Sequence, residues 1–543
     1  MRGFWLCSRT AVDYVDGGMI DASHDPRLRW LLPPFVLFLF LGHLLLMLLR
    51  PEYPLGDPGT PWHFKWGQML VEGKSLPSGD PFSHTMTDAP WVNYQWLFQV
   101  FTGLTQWVGG IPLTTAVMVS LYALVPVLLY QRMLREGIHL GVAFPLAGLA
   151  WFVMTMHALV RPHTFTYLFF ALLIERLYRV FDGEVSWNKT WWIPLMFLFW
   201  ANLHGGFSVG LMTMGLVGAV GMTRWLWMRW RHGSGSPSDL AGKQVVTHLF
   251  YLGLACGLVT LINPYGIGLH FHILSFLKLD ILARWQEFNS PDFYSPSGNI
   301  RAFEWMILGI MVVFFCRGSS ERLKPLDLIL CLFFLHFALQ SNRHIMLFVI
   351  VATPVLARGI DAWLSRLPSN VFIRRGYEMT RDQAELRSGW VYIPLVMLAY
   401  AGISLSPLPV FEKEFYGQHL SRETADLIRS HPDRFRRMFN TDNVGGALIY
   451  YFGPEIKVFA DDRADFYWQE FFENEYFKVR FVQEGWQEVL NRYGVDSIVL
   501  NKKHPLRVVL TEVPHWHLVH EDKLNAVYWR VLPDETRQSL PAP

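Results

Sequence analysis

Long apolar runs separated by short polar connections fill residues 30–406. Such runs near 30–49, 112–130, 138–156, 164–180, 190–203, 205–223, 247–263, 302–316, 325–340, 344–357 and 390–406 predict about eleven membrane-crossing helices. A helical run of about 20 residues covers the roughly 30 Å hydrocarbon core. Segments 190–203 and 205–223 meet at His204-Gly205-Gly206, which suits either a break within one long helix or a turn between two. After residue 407 the pattern changes to short alternations of helix-like and strand-like stretches. The expected fold is therefore an α-helical polytopic membrane protein with a C-terminal soluble α/β domain. Its parts are a cytoplasmic segment 1–29, a transmembrane domain 30–406 with a long first outer loop at 51–111, and an extracytoplasmic domain 407–543.

Composition agrees. The chain is 52% hydrophobic and only 17% charged, against about 25% charged in soluble domains. A net charge of +2 argues against a polyanionic partner such as nucleic acid. No cysteine follows Cys331, so the C-terminal domain is expected to fold on core burial without disulfides. The first apolar run ends in Arg50-Pro51 rather than a small-residue cleavage site, which predicts a retained helix.

Charge orients the spans. Arg27/Arg29, Arg132/Arg135, Arg176/Arg179, the RWLWMRWRH run at 224–232, Arg317/Arg322/Lys324 and Arg358/Arg366/Arg374/Arg375 fall in alternate connections. By the positive-inside rule these face the cytoplasm. The other connections then collect the unusual residues on the opposite face. They are Asp57, His63 and Asp80 in the first loop, His157, Arg161 and His163 in MHALVRPHTF, His204 in WANLHGGF, Asn263 in INPYG, and Asn342, Arg343 and His344 in SNRHIM. Ionisable groups near membrane depth are costly and usually face a cavity. Arg343 and His344 at the head of an apolar span suit a phosphate anion. His63, His157, His163, His204 and Asn342 would line the same cavity. Each has a plainer use: Arg161 as a headgroup anchor, the histidines as packing residues, and Asn263 as a turn former.

Within the first loop, Trp62, Trp66 and Met69 recur at helical spacing, which predicts a short helix lying in the membrane interface with Thr60 as its N-cap. A second interfacial helix is expected over Trp91–Trp107. Asp57 and Asp80 each precede proline, a common turn pattern. Asp57 is tied to the end of the first span and is the stronger candidate for chemistry. Asp80 takes a supporting role.

The first-loop pattern GDPGTPWHFKWGQMLVEG followed by LPSGDPFS resembles the C-type membrane glycosyltransferases. In particular it is similar to bacterial relatives of the dolichyl-phosphate-mannose-protein mannosyltransferases and of the lipid A aminoarabinose transferase. VRPHTF, WANLHGGFSVG, INPYG and SNRHI extend the resemblance over residues 30–406. The resemblance implies transfer of a sugar from a polyprenyl-phosphate donor to a glycan, lipid or protein acceptor at the outer face of the bacterial inner membrane. Asp57 stands at the position of the family's catalytic base, with Asp80 as the candidate second carboxylate. Arg161, Arg343 and His344 would meet the donor phosphate. Asp57 is followed by proline rather than a second acid, which leaves a divalent metal open. No metal-ligand spacing is visible in the C-terminal portion.

In the C-terminal portion, RETADLIRSHPDRFRRMF reads as helix, GWQEVLNRYGVDSIVLNK as helix, turn and strand, and HWHLVHEDKLNAVYWRV as a hairpin. Asp442-Asn443-Val444-Gly445-Gly446 and Asp461-Asp462-Arg463 read as structural turns; used functionally, Asp462 and Arg463 would bind a sugar or acceptor. Two other functions fit the same topology. A lipid or glycan flippase would show internal repeats with paired broken helices, and none is visible beyond the glycine pair at 205–206. A non-catalytic envelope scaffold would use the C-terminal domain alone.

Overall fold

The computed structural model describes residues 35–50, 52–73, 79–87, 89–316, 324–368, 392–406 and 414–531. The expected cytoplasmic segment 1–29, and with it Arg27 and Arg29, lies outside them, as do Arg317, Arg322, Arg374 and Arg375.

Each apolar run becomes helix. In chain order the helices are α1 (Phe35–Leu49), α2 (Thr60–Val71), α3 (Trp96–Arg135), α4 (Leu140–Met154), α5 (His163–Phe181), α6 (Trp192–Leu203), α7 (Phe207–His232), α8 (Pro237–Val259), α9 (Gly268–Phe276), α10 (Gly298–Phe315), α11 (Pro325–Gln340), α12 (Ile345–Leu364) and α13 (Tyr392–Leu405). Among the described residues, five helical stretches are long and apolar enough to cross a membrane on their own: Trp96–Arg135, Leu140–His157, Phe207–His232, Gly298–Phe315 and Asn342–Leu364. The 190–223 region is two oppositely directed helices. His204 is extended (φ −163°, ψ 144°) and ends α6. Thr190, just before α6, bonds His248 within α8, and Asn202 at its other end bonds Ile262 just past α8. So α6 runs parallel to α8, and α7, which links them in the chain, runs the opposite way.

Of the helix expected over 91–107, residues 91–95 are not helical and 96–107 form the first part of α3. A kink at Gly109 and Gly110 separates it from the second part. Gly110 has φ 67°, a conformation open chiefly to glycine. Trp107 on the first part is 78% exposed.

The interfacial reading of α2 is wrong. Trp62, His63, Phe64, Trp66 and Met69 are all buried. One side lies backbone-to-backbone on α3: a Cβ on Gly67 would stand 2.3 Å from the Gln99 carbonyl, and one on Gly103 2.2 Å from the Gly67 carbonyl. The other side is covered by the C-terminal residues. Thr60 is also not the N-cap; Gly59 is, with Thr60 as the first helical residue.

The bundle has two chemically different ends. At one, Arg358 joins Glu136 and Asp327, Lys324 pairs with Asp182, and Arg135 pairs with Glu175. The charge pattern put these basic residues on one side of the membrane. The opposite end holds Asp57, Arg161 and Arg343 and carries the C-terminal α/β unit.

That unit comprises α14 (Arg422–Ser430), β1 (Met438–Asn440), α15 (Asp442–Phe452), α16 (Ala464–Phe471), α17 (Phe477–Arg480), α18 (Trp486–Arg492), β2 (Ser497–Asn501), α19 (Leu506–Glu512), β3 (Trp516–Glu521) and β4 (Asn525–Arg530). The sheet order is β1-β2-β4-β3. β1 and β2 are parallel, with Phe439 opposite Ile498; the other two pairings are antiparallel. The helix–turn–strand and the closing hairpin lie where the pattern put them. The core beneath this sheet is not confined to the C-terminal residues. Trp62, Trp66, Met69, Phe82 and Trp91 from the first loop pack into it, with Ile281. Residues around Ser83 run beside Val458, with Val458 N donating to Phe82 O at 2.9 Å and His84 N to Val458 O at 3.0 Å. The apolar run IKVFA therefore pairs with the first loop.

Candidate active site between the first loop and the C-terminal unit

Asp57 sits three residues before α2. Its Oδ1 accepts from Gly59 N at 2.8 Å and from Arg161 Nη1 at 2.6 Å. Arg161 lies in the connection between α4 and α5, and its Nη1 also donates to Asp462 Oδ2 at 3.1 Å. Trp62 Nε1 holds the other oxygen of Asp462 at 2.8 Å. Three distant stretches thus meet on one guanidinium nitrogen. Gly59 makes room: a Cβ there would stand 1.8 Å from Arg161 Nη1 and 2.1 Å from Asp462 Oδ2. The glycine pair of DNVGG serves the same junction. It lies in the first turns of α15 rather than in a free turn, and a Cβ on Gly446 would stand 2.0 Å from Pro58 O.

Burial drives the Asp462 carboxyl upward. Arg161 opposes it, Asp57 and Asp461 add to it, and the result is about 7. The folded protein therefore keeps this proton between the ordinary value of 3.8 and about 7, where the unfolded chain loses it. The stabilisation is present in acid and is lost as pH rises toward 7. The melting temperature of the full-length protein is expected to fall more from about pH 5 to about pH 8 in the wild type than in Asp462→Asn. Equal falls in the two proteins would refute this.

The ion cluster lines a cavity of about 600 Å³ together with His157, Glu287, Asn342, Asp442 and Arg480. Burial works against the Glu287 carboxylate, but Arg343 and Arg161 outweigh it and hold it below the usual glutamate range. A second hollow of about 460 Å³ lies among α5, α7, α9 and α11, walled by apolar residues including Met212, Ile273, Phe333, Phe337 and Leu347. His163, His204, Arg343 and His344 edge it. A cleft of about 60 Å³ shares Arg161 and Glu287 with the polar cavity, and Arg343 and Phe288 with the apolar groove.

Of the residues singled out from sequence, Asp57, Arg161, His157 and Asn342 meet at the polar cavity, while Arg343, His163, His204 and His344 line the groove. Arg343 pairs with Glu287 at 3.3 Å and lies over the Phe288 ring. His63 does not line either hollow: it is fully buried between Trp62 and Phe98, because α2 is sandwiched rather than surface-bound. Asp80 is likewise outside both. It is fully buried, accepts from Ser83 N and Oγ, and takes Arg463 Nη1 at 2.8 Å. Arg463 also grips Asp461 with Nε at 2.8 Å and Nη2 at 2.6 Å. This buried trio welds the first loop to the C-terminal unit and leaves Asp80 no free face.

Sequence reading missed Glu287, a lone acid in a long loop with no motif around it. It read Asp442 and Asp462 as turn formers. The run of three charges at 461–463 was the available signal, since adjacent charges before an apolar helix need partners. A divalent metal does not fit the cluster. Arg161 Nη1 already occupies the space between the Asp57 and Asp462 carboxylates, and no group of three or more His, Cys, Asp or Glu side chains converges among the described residues.

No family model matches the chain, and no curated protein matches it. The solved structures similar in fold include the archaeal oligosaccharyltransferase AglB from Archaeoglobus fulgidus, in complex with an inhibitory peptide and a dolichol-phosphate. The similarity has a TM-score of 0.50 and covers 92% of this chain and 75% of that one. This chain has the fold of a polytopic membrane protein. Identity is 10%, so the likeness speaks to fold alone. At that level it agrees with the polytopic helical fold expected from the sequence.

Proposed function

We propose that the protein is a membrane glycosyltransferase that moves a sugar from a polyprenyl-phosphate donor to an acceptor at the extracytoplasmic face. The observation that carries this reading is the meeting of an apolar groove and a polar cavity across Arg161 and Arg343, with Asp57 on the polar side. A lipid phosphate has the matching parts: a tail for the groove, an anion for the arginines and a sugar for the cavity. The fold likeness supports it, since AglB was solved with a dolichol-phosphate.

In this mechanism Asp57 takes the proton from the acceptor nucleophile as that atom bonds to the anomeric carbon. The bond from that carbon to the phosphate oxygen breaks, and the lipid phosphate leaves with the electron pair. Its growing charge is met by Arg161, Arg343 and His344. Asp462 positions Arg161. No step passes through a metal.

Purified protein incubated with radiolabelled polyprenyl-phosphate sugars should release labelled product. Arg343→Ala should raise the donor KM by roughly tenfold or more, as expected when a charge-assisted bond is lost. Failure of every donor to react, or an unchanged donor KM in Arg343→Ala, would overturn the reading.

A further inference from the structure

We infer that the part of the polar cavity built by α15, α17 and Trp285 is the acceptor subsite, and that the acceptor it takes is a saccharide. This rests on the reading above that Asp57 marks the transfer centre. The chemistry is that of sugar recognition. A saccharide ring offers apolar C–H faces and a rim of paired hydroxyls. Aromatic faces suit the first, and a fixed acid–base pair suits the second.

Both are present. Phe477, Phe481 and Trp285 line the cavity with Asp442, Asn443 and Arg480. Phe481 is 50% exposed and lines the cavity, so part of its ring is open to a bound molecule. The residue after it, Val482, has φ 53°, a left-handed conformation that is strained for a β-branched residue. Strain of this kind persists where the surroundings fix a group in place, and here the backbone turns immediately behind Phe481.

The polar pair is held as firmly. Asp442 Oδ2 accepts from Arg480 Nη1 at 2.7 Å, and Oδ1 accepts from Asn443 N at 2.9 Å. The carboxylate plane is therefore set, with Arg480 beside it as a donor fork and its guanidinium 5.5 Å from the Phe481 ring centre. A protein acceptor held through its main chain would need a free strand edge or a nest of backbone donors. Among the described residues, this wall is made of helices and side chains. The cavity volume of about 600 Å³ lies within the roughly 300–1,000 Å³ of small-molecule sites.

The test is direct binding, without donor, of the full-length protein in lipid nanodiscs to an array of immobilised oligosaccharides, with a peptide array in parallel. One or more oligosaccharide classes should be retained. Phe481→Ala and Asp442→Asn should each bind about tenfold more weakly. Retention of peptides instead, no retention of any saccharide, or retention indifferent to both substitutions would overturn the inference. The outcome separates from that of the transfer reaction. If saccharides fail to bind while lipid-linked sugar is still transferred, only the acceptor class is wrong. If saccharides bind as stated while no lipid-linked donor reacts, the transfer reading is wrong.

Discussion

Asp57→Asn is expected to lower the turnover of sugar transfer by a factor of roughly 10²–10⁴, the usual contribution of a positioned general base. Asparagine keeps the shape and can still accept from Gly59 N, so the start of α2 should be undisturbed. What it cannot do is hold a proton taken from the acceptor. The ion pair with Arg161 is lost as well, but Arg161 keeps Asp462 and remains placed. The melting temperature should therefore stay close to that of the wild type while kcat falls. The division between kcat and KM is informative. A loss confined to the donor KM would make Asp57 a binding residue, and an unchanged kcat would remove it from the chemistry.

Arg463→Met should produce the largest loss of stability. Arg463 is 1% exposed at its side chain and joins Asp80 and Asp461, both 0% exposed at theirs. Removing the cation leaves two buried carboxylates without it. Breaking a buried pair in this way costs about 3–5 kcal/mol. Asp80→Asn is milder, because Arg463 keeps its two bonds to Asp461. It should lower the melting temperature yet leave transfer measurable in whatever protein folds. Thermal unfolding followed by size exclusion distinguishes the two substitutions. A fully folded Asp80→Asn protein with no transfer would return Asp80 to the chemistry.

Helix positions were legible because each apolar run is long and bounded by charge or proline, and a run that must be buried or lipid-facing has few alternatives. Asp57 and Arg161 were legible for the related reason that charges at a span's end are costly. The fate of α2 was not. Its Trp62, Trp66 and Met69 stripe has the same spacing whether it meets lipid headgroups or a protein core, and only the C-terminal residues decide between them. Asp80 failed in the same way. Its partner Arg463 is 383 residues away, and an aspartate before proline looks alike whether it turns the chain or anchors a distant arginine. Phe481 and Glu287 gave no signal, since neither sits in a motif and each acquires meaning only from its neighbours in space.

The shared core also imposes an order of events during synthesis. Trp62, Trp66, Phe82 and Trp91 leave the ribosome early, but apart from Ile281 the buried residues from outside the first loop that pack with them lie from Leu420 onward. From Trp91 to Leu420 the chain grows by 329 residues (420 − 91). At roughly 5–20 residues per second this is a wait of about 16–66 s. Until then four large aromatic side chains of the first loop lack most of their cover, and Arg161 lacks one of its two carboxylates. A truncated or stalled product would therefore insert its helices and still lack the junction of Asp57, Arg161 and Asp462, which is completed only by the last quarter of the polypeptide.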